Sequence, residues 1–165
     1  MDVKNLDIYG DAALDWDRAV RHLEDLSNPT RTCWLATTSS DGRAHLTGVG
    51  GLWVKDTMYF TSSPRARKSR NLVTDPRCAI SVGQGDLDLV IEGTAAKVTD
   101  AATLQDLAAR YNAQGWPARA ENGALTAEFS APSAGPPPWE LYAVTPSVVY
   151  AVATREPWGA TRWTF

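Results

Sequence analysis

Residues 32–62 of the chain read TCWLATTSSDGRAHLTGVGGLWVKDTMYFTS, and this stretch decides the fold class. It contains three runs rich in β-branched and aromatic residues, separated by turn sequences at residues 39–42 (SSDG) and 55–57 (KDT). Such runs bounded by turn residues are typical of strands joined as hairpins. We therefore expect three consecutive antiparallel strands in this part of the chain.

Strand and helix patterns continue on both sides of this stretch. Strands are predicted at residues 32–38, 43–54, 58–61, 77–82, 87–98, 139–145, 147–153 and 160–165. Amphipathic spacing predicts helices at residues 15–26, 64–75 and 100–112, with Asp100 as the N-cap of the last helix. Strands joined mostly by short turns, with helices at their ends, indicate a mainly β, antiparallel barrel.

Length and composition are those of an ordinary globular chain. With 165 residues, 44% hydrophobic and 21% charged, we expect a single domain over residues 1–165. Residues 115–138 are rich in Pro, Gly and Ala, which predicts a long surface excursion. Excursions of this length either line a functional site or are tolerated insertions.

The charge balance excludes some functions. A formal net charge of −3 argues against a protein that mainly binds nucleic acid or an anionic membrane. The N-terminal residues resemble no signal peptide and no apolar run has the length of a membrane span, so we expect a cytoplasmic protein. Cys33 and Cys78 lie in apolar runs, where buried thiols are common, and the few Cys and His residues show no metal-ligand spacing.

A cluster of basic residues marks the candidate functional site. Residues 60–72 read FTSSPRARKSRNL, and four of the chain's 16 Lys and Arg residues fall between Arg65 and Arg70. The cluster lies where a predicted strand passes into a predicted helix, and a helix N-terminus presents unpaired N–H groups to an anion. The pattern predicts a phosphate site, with a solvated basic turn as the alternative.

Four segments, in chain order, carry a family resemblance: DGRAHLTGVGGLWV, MYFTSSPRARKSRNL, DPRCAISV and LVIEGTAAKV. Together with the later WELYAVTP and TRW, they resemble the pyridoxamine 5′-phosphate oxidase-like family of flavin-binding split barrels. The resemblance implies a six- to seven-stranded split barrel that binds FMN or, alternatively, the deazaflavin coenzyme F-420. It also implies a homodimer with the cofactor at the interface.

The resemblance also implies which residues bind the cofactor. Along the ring it places residues 43–48, namely Arg43, His45, Leu46, Thr47 and Gly48, and beside the ring and ribityl chain Phe60, Thr61 and Ser62. On the phosphate it places Arg67 and Lys68, helped by Ser63, Arg65 and Asn71, and near the ring Asp88, contributed by the partner subunit, and the late Arg162.

The substrate motif of the true pyridoxamine phosphate oxidases is not matched. Residues 150–152 (YAV) and 162–164 (RWT) depart from the family's penultimate-strand aromatic residue and Arg-x-His pattern, so vitamin B6 oxidation is not expected. We expect a flavin-type oxidoreductase that transfers hydride to or from a small organic molecule, with no side chain assigned to catalysis. The alternatives are a non-enzymatic flavin carrier or sensor and a haem-binding or haem-degrading split barrel. His45 either faces the ring or is an ordinary hydrogen-bonded strand residue.

Overall fold

The structure, a computed structural model, describes residues 1–25 and 33–165. Its elements are β1 (Asp2–Asn5), α1 (Trp16–Glu24), β2 (Cys33–Thr38), β3 (Ala44–Val49), β4 (Gly51–Val54), β5 (Thr57–Ser62), α2 (Arg67–Thr74), β6 (Arg77–Gln84), β7 (Leu87–Val98), α3 (Ala101–Ala113), β8 (Arg119–Glu121), β9 (Ala124–Thr126), β10 (Glu140–Ala153) and β11 (Ala160–Thr164). The predicted last residue of the first helix, Leu26, and the predicted first residue of the first strand, Thr32, lie outside the described residues.

One antiparallel sheet dominates the described part of the chain, which confirms the prediction of a mainly β protein with flanking helices. Seven strands follow the order β1-β11-β10-β7-β6-β2-β3, and β4 and β5 join them through β10. The long strand β10 pairs with β7 over its whole length, with β5 over its first half and with β11 over its second half. The sheet therefore curls around β10, while β8 and β9 form a separate hairpin within the excursion.

The structure differs from the predicted strands in three places. The two strands expected at 139–145 and 147–153 are one strand, β10, whose register with β7 shifts between Pro146 and Val148. Proline has no N–H to donate to a ladder, so the irregularity falls beside it. The strand expected at 43–54 is divided at Gly50 into β3 and β4, and three short strands (β1, β8 and β9) were not predicted.

Helix α2 begins later than predicted. The sequence favours a start at Pro64, but the helix begins at Arg67, because residues 63–66 form a turn closed by the Ala66 N–H on the Ser63 carbonyl at 3.0 Å. Hydrophobic spacing predicts a packed face of Ala66, Ser69, Leu72 and Val73. Ser69 and Leu72 are buried, together with Asn71, whereas Val73 is 84% exposed. A short helix that lies over a strand junction buries polar groups that hydrophobic spacing does not identify.

Two hydrophobic clusters stabilise the barrel. The larger fills its interior with apolar side chains from every long strand, including Leu35, Met58, Phe60, Ile80 and Ile91, all fully buried. Helix α1 covers this cluster. The smaller cluster lies between α3, the excursion and the outer side of β4 and β10, and contains Leu104, Leu107, Leu125 and Leu141.

The opposite face of the main sheet is largely uncovered by the described residues; we call it the open sheet face. The strand registers align one residue from each strand in a row across it: Lys4, Arg162, Tyr150, Val90, Ser81, Trp34 and Gly48. Three large apolar side chains on this face are at least half exposed, Trp34 at 50%, Leu46 at 62% and Val152 at 51%. Sheet faces with such side chains normally pack against something.

No helix among the described residues has both the length and the apolar character needed to cross a membrane.

Candidate functional site

A small polar cavity lies where β3, the end of β5 and the start of α2 meet; we call it the Lys68 cavity. Its volume is about 130 Å³. Its walls are formed by Thr47, Gly48, Val49, Gly50, Thr61, Ser62, Ser63, Lys68, Ser130, Ala131, Ser133, Ala134 and Trp139. Pockets for drug-sized ligands begin at roughly 300 Å³, so the cavity suits one small polar group rather than a whole coenzyme.

Serine hydroxyls fix the strand-to-helix junction at this cavity. The hydroxyls of Ser62 and Ser69 are hydrogen-bonded at 2.7 Å, and the Ser69 Oγ also donates to the Ser63 carbonyl at 2.8 Å. These bonds join the end of β5 to the first turn of α2. The N-cap residue Ala66 supplies no side-chain oxygen, so the first N–H groups of α2 lack a side-chain cap and remain suited to an anion.

The four basic residues at this junction differ in exposure. Lys68 is half-buried and lines the cavity, whereas Arg65, Arg67 and Arg70 are exposed. Burial lowers the pKa of Lys68, because desolvation disfavours the charged ammonium. None of the cavity's lining residues is acidic, and within the described ranges no carboxylate lies within salt-bridge distance of these four side chains. The cavity therefore combines a desolvated cation with hydroxyl groups and no internal counter-ion.

His45 lies beside the cavity on β3. It is partly buried, and its pKa is held below 6.5 first by burial and then by the positive charges of Arg67 and Lys68. The imidazole is therefore neutral at neutral pH and can accept or donate a hydrogen bond.

A second concavity is larger but differs in chemistry. A groove of about 630 Å³ crosses the open sheet face beside Ala36, Ala79 and Glu92. Its cation, Arg77, is already paired with Asp75 at 2.7 Å. The groove is open to solvent and has no unpaired positive charge, so it is a weaker candidate for an anion site.

The structure brings six of the predicted cofactor residues together around the Lys68 cavity: Thr47, Gly48, Thr61, Ser62, Ser63 and Lys68. His45 and Arg67 lie close to it, as their electrostatic interaction shows. The other residues near the junction do not line the cavity. Arg43 and Arg65 are exposed, and Leu46 belongs to the open sheet face.

Two predicted residues are instead part of the protein interior. Phe60 is fully buried and stacks on Tyr142, with 5.2 Å between ring centroids. Asn71 is buried and donates from its side-chain amide to the hydroxyl of Thr37 at 3.0 Å, which joins α2 to β2. Both side chains support the elements that carry the cavity, and any contact with a cofactor stays a prediction.

Asp88 and Arg162 lie far from the cavity within one chain. Arg162 is separated from Gly48 by five inter-strand steps across the sheet, about 24 Å along its surface. The Nε atom of Arg162 is buried and has no hydrogen-bond partner in the described part of the chain. Asp88 is exposed on the same open sheet face.

Comparison with known proteins identifies the family. The family model for pyridoxamine 5′-phosphate oxidase matches residues 20–153, which is most of the chain. The chain belongs to the pyridoxamine 5′-phosphate oxidase family. Family membership confirms the resemblance inferred from the sequence and identifies the protein as a member of a flavin-binding family. No functionally curated protein matches the chain in sequence.

Several solved structures share the fold of this chain. A conserved hypothetical protein from Mycobacterium tuberculosis superposes with a TM-score of 0.65 at 17% identity, covering 90% of this chain and 91% of the other. A pyridoxamine 5′-phosphate oxidase-related, FMN-binding protein from Nostoc punctiforme gives 0.60 at 18% identity, with 93% and 98% covered. An F420 reductase gives 0.52 at 23% identity, with 76% and 94% covered. These similarities confirm the split-barrel fold.

One wall of the cavity consists of residues that were not predicted from the sequence. Residues 130–134, near the end of the Pro- and Gly-rich excursion, and Trp139, which follows the excursion, contribute it. The length of the excursion was a signal, since long loops in compact domains often line sites. The sequence left this open against a tolerated insertion, and the cavity lining favours the first alternative.

The cysteines and potential metal ligands lie outside this chemistry. Cys33 and Cys78 are both buried, and burial raises the pKa of Cys78 to about 12, so it is a protonated thiol at neutral pH. In the described part of the chain, no group of three or more His, Cys, Asp or Glu side chains is arranged to hold a metal ion.

Proposed function

We propose that this protein is a flavin-dependent oxidoreductase in which the Lys68 cavity binds the phosphate of FMN or of the deazaflavin coenzyme F-420. The observation that carries the proposal is the half-buried ammonium of Lys68, without a carboxylate among the lining residues, in a hydroxyl-lined cavity at the start of α2. The FMN-binding and F420 reductase relatives support both cofactors equally.

The electrostatics of the cavity favour an anion. Burying an ammonium without a partner is unfavourable, and a bound phosphate offsets that cost through charge-assisted hydrogen bonds. Serine and threonine hydroxyls from Thr47, Thr61 and Ser63 add donors around the same point. Arg67, exposed nearby, adds positive charge at the entrance.

A cavity of this size has room for the phosphate only, so the proposal has the rest of the coenzyme outside it. The ring would extend along β3, past Thr47 towards His45, in agreement with the residues that the family resemblance implies. The cofactor supplies the hydride chemistry when bound, and the protein binds the phosphate, orients the ring and excludes water. No side chain is assigned to proton transfer.

A homodimer formed through the open sheet face completes the proposal. This face presents exposed Trp34, Leu46 and Val152, as well as Arg162 with its unpartnered buried Nε. Acidic Asp88 and Glu92 occupy the same face, so two copies related by a two-fold axis can pair opposite charges across it. Such a dimer would let Asp88 and Arg162 of one copy approach the cofactor of the other.

The first test is a titration of cofactor-free protein with FMN and, separately, with coenzyme F-420, followed by ligand and tryptophan fluorescence. We expect tight binding of one of them. The variant Lys68→Ala should weaken it by about 1.5–3 kcal/mol, the range for hydrogen bonds to charged groups. Arg70→Ala is the matched control, because Arg70 is an exposed cation of the same helix whose guanidinium donates to the Arg65 carbonyl.

The outcomes separate the candidate functions. Binding of neither coenzyme, or equal affinity in the Lys68→Ala variant, would overturn the proposed phosphate site. Binding without oxidation of the reduced coenzyme in the presence of quinones or other enones would indicate a flavin carrier or sensor. A Soret band after addition of haem, without flavin binding, would indicate the haem-binding alternative.

A further inference from the structure

The excursion forms a strap across the Lys68 cavity; we define the strap as residues 129–134. Four of its residues line the cavity, among them Ser130 and Ser133. A backbone hydrogen bond from the Ala134 N–H to the Ala131 carbonyl, at 2.8 Å, makes the strap a closed turn. The cavity is therefore bounded by two parts of the chain that are distant in sequence.

Two indole groups hold the strap by its ends. The Nε1 of Trp116 donates to the carbonyl of Phe129 at 2.6 Å, and the Nε1 of Trp139 donates to the carbonyl of Ala134 at 3.2 Å. Trp116 precedes the strap and Trp139 follows it, so each end is bonded to a side chain outside the turn. A loop fixed at both ends loses less conformational entropy when it contacts a ligand.

The same aromatic group reaches the opposite wall of the cavity. Trp116 packs edge-to-face against Trp139 and Tyr111, with ring centroids 5.6 and 5.2 Å apart. Tyr111, buried on α3, donates its hydroxyl to the Gly50 carbonyl at 3.4 Å, and Gly50 belongs to the β3 side of the cavity. The two walls are thus held at a defined separation by one aromatic cluster.

The hydroxyls on the two sides differ in availability. On the α2 side, the Ser62 and Ser69 hydroxyls bond to each other. On the strap, Ser130 and Ser133 line the cavity, and their hydroxyls make no hydrogen bond within the described residues. They share the cavity with Lys68, beside which an anion would lie.

We propose that the strap is the second half of the anion site, with Ser130 and Ser133 donating hydrogen bonds to the same phosphate that Lys68 binds. Trp116 and Trp139 act as positioning residues for the strap. The inference rests on the proposed function and adds to it a set of ligand-binding groups from outside the basic cluster. It makes the excursion a part of the binding site, specific for the phosphate of the coenzyme.

The test compares a coenzyme with its phosphate-free form. Affinities for FMN and for riboflavin, or for coenzyme F-420 and its phosphate-free chromophore, are measured for the whole protein. Ser130→Ala combined with Ser133→Ala should weaken binding of the phosphorylated form about tenfold or more, and leave the phosphate-free form within twofold. Trp139→Phe, which keeps an aromatic ring and removes the indole donor, should weaken the phosphorylated form severalfold. Ser40→Ala, an exposed serine of the β2–β3 turn, is the control.

The possible results are distinguishable. Unchanged affinity of the double serine variant, together with loss of binding in Lys68→Ala, would overturn the strap proposal and leave the phosphate site intact. An equal loss for phosphorylated and phosphate-free forms would overturn it too, since the serines would then act only through folding of the strap. If the unmodified protein binds no form of either coenzyme, the proposed function and the strap proposal both fail.

Discussion

The Lys68 cavity and the open sheet face differ in how complete they are within one chain. The cavity takes its hydroxyls from β3, β5, the β5–α2 turn and the excursion, and an aromatic cluster holds the strap in place. The open sheet face exposes Trp34, Leu46 and Val152 and leaves the Nε of Arg162 without a partner in the described residues. Under the proposed function, one chain provides the phosphate site, whereas the far residues Asp88 and Arg162 would need a second copy to take part.

The largest effect is expected from breaking the open sheet face. Trp34→Asp combined with Leu46→Asp should raise the dimer dissociation constant about 100-fold or more, because burial of each side chain contributes about 1.5–3 kcal/mol. Sedimentation velocity over a range of protein concentrations measures this. Val73→Asp is the control, since Val73 is 84% exposed on α2. If the unmodified protein is monomeric at micromolar concentration and still binds coenzyme normally, the open sheet face is not needed for binding. The proposed difference between the two regions would then be wrong.

A smaller effect is expected from Arg162, which tests whether the open sheet face reaches the cofactor. Arg162→Ala should weaken coenzyme binding about tenfold, because a hydrogen bond to a charged group contributes about 1.5–3 kcal/mol. Lys4→Ala is the matched control, since Lys4 is the exposed register neighbour of Arg162 on β1. Fluorescence titration at a protein concentration well above the dimer dissociation constant separates this from a loss of dimer. If Arg162→Ala binds the coenzyme as tightly as Lys4→Ala does, Arg162 takes no part in the site, and the coenzyme contacts only residues near the Lys68 cavity.

The pH dependence of binding sharpens the description of the cavity side. In the free protein the pKa of His45 lies below 6.5, because of burial and of the charges on Arg67 and Lys68. A bound phosphate opposes those charges and raises this pKa, so binding takes up a proton and affinity increases as the pH falls through the pKa of His45 in the complex. Relative to His45→Gln, the unmodified protein should gain about threefold in affinity between pH 8 and pH 6. Parallel pH profiles for the two proteins would place His45 away from the phosphate.

The smallest effect is expected from Tyr111, which connects the aromatic cluster to the Gly50 carbonyl at the cavity. Tyr111→Phe removes the long hydrogen bond to the Gly50 carbonyl but keeps the ring contact with Trp116. The free energy of unfolding should fall by about 0.5–1 kcal/mol, which urea unfolding followed by tryptophan fluorescence measures. Tyr59→Phe, on β5 and packed against the same cluster, serves as the comparison. A decrease of several kcal/mol in the free energy of unfolding would mean that the Tyr111 hydroxyl stabilises the whole fold rather than the cavity alone.

The fold class followed from local patterns. Alternating β-branched and aromatic runs between turn residues predicted β2, β5, β6, β7 and β11 close to their observed bounds. Exceptions arose where a backbone feature outweighed the pattern, as at Pro146, where two predicted strands are one. The short β1 has no buried residue, so no hydrophobic alternation marks it, and it becomes a strand only by pairing with β11.

The candidate site was predictable in position but not in detail. The cluster at Arg65–Arg70 pointed to the strand-to-helix junction, because four cations in an otherwise acidic chain are a local feature. That Lys68 enters the cavity while its arginine neighbours are exposed depends on where α2 begins, which the Ser63–Ala66 turn decides. The strap could not be assigned, because its place depends on indole donors on either side of it.

The sequence by itself determined a mainly β, antiparallel architecture, a basic strand-to-helix junction and a family resemblance, because each depends on residues that are neighbours along the chain. Only the tertiary structure decided which cation is desolvated, that residues 130–134 close the cavity, and that Arg162 lies five strands away from Gly48. Burial, register and loop docking arise from contacts between distant segments, whose free energies are not encoded in any single stretch of residues.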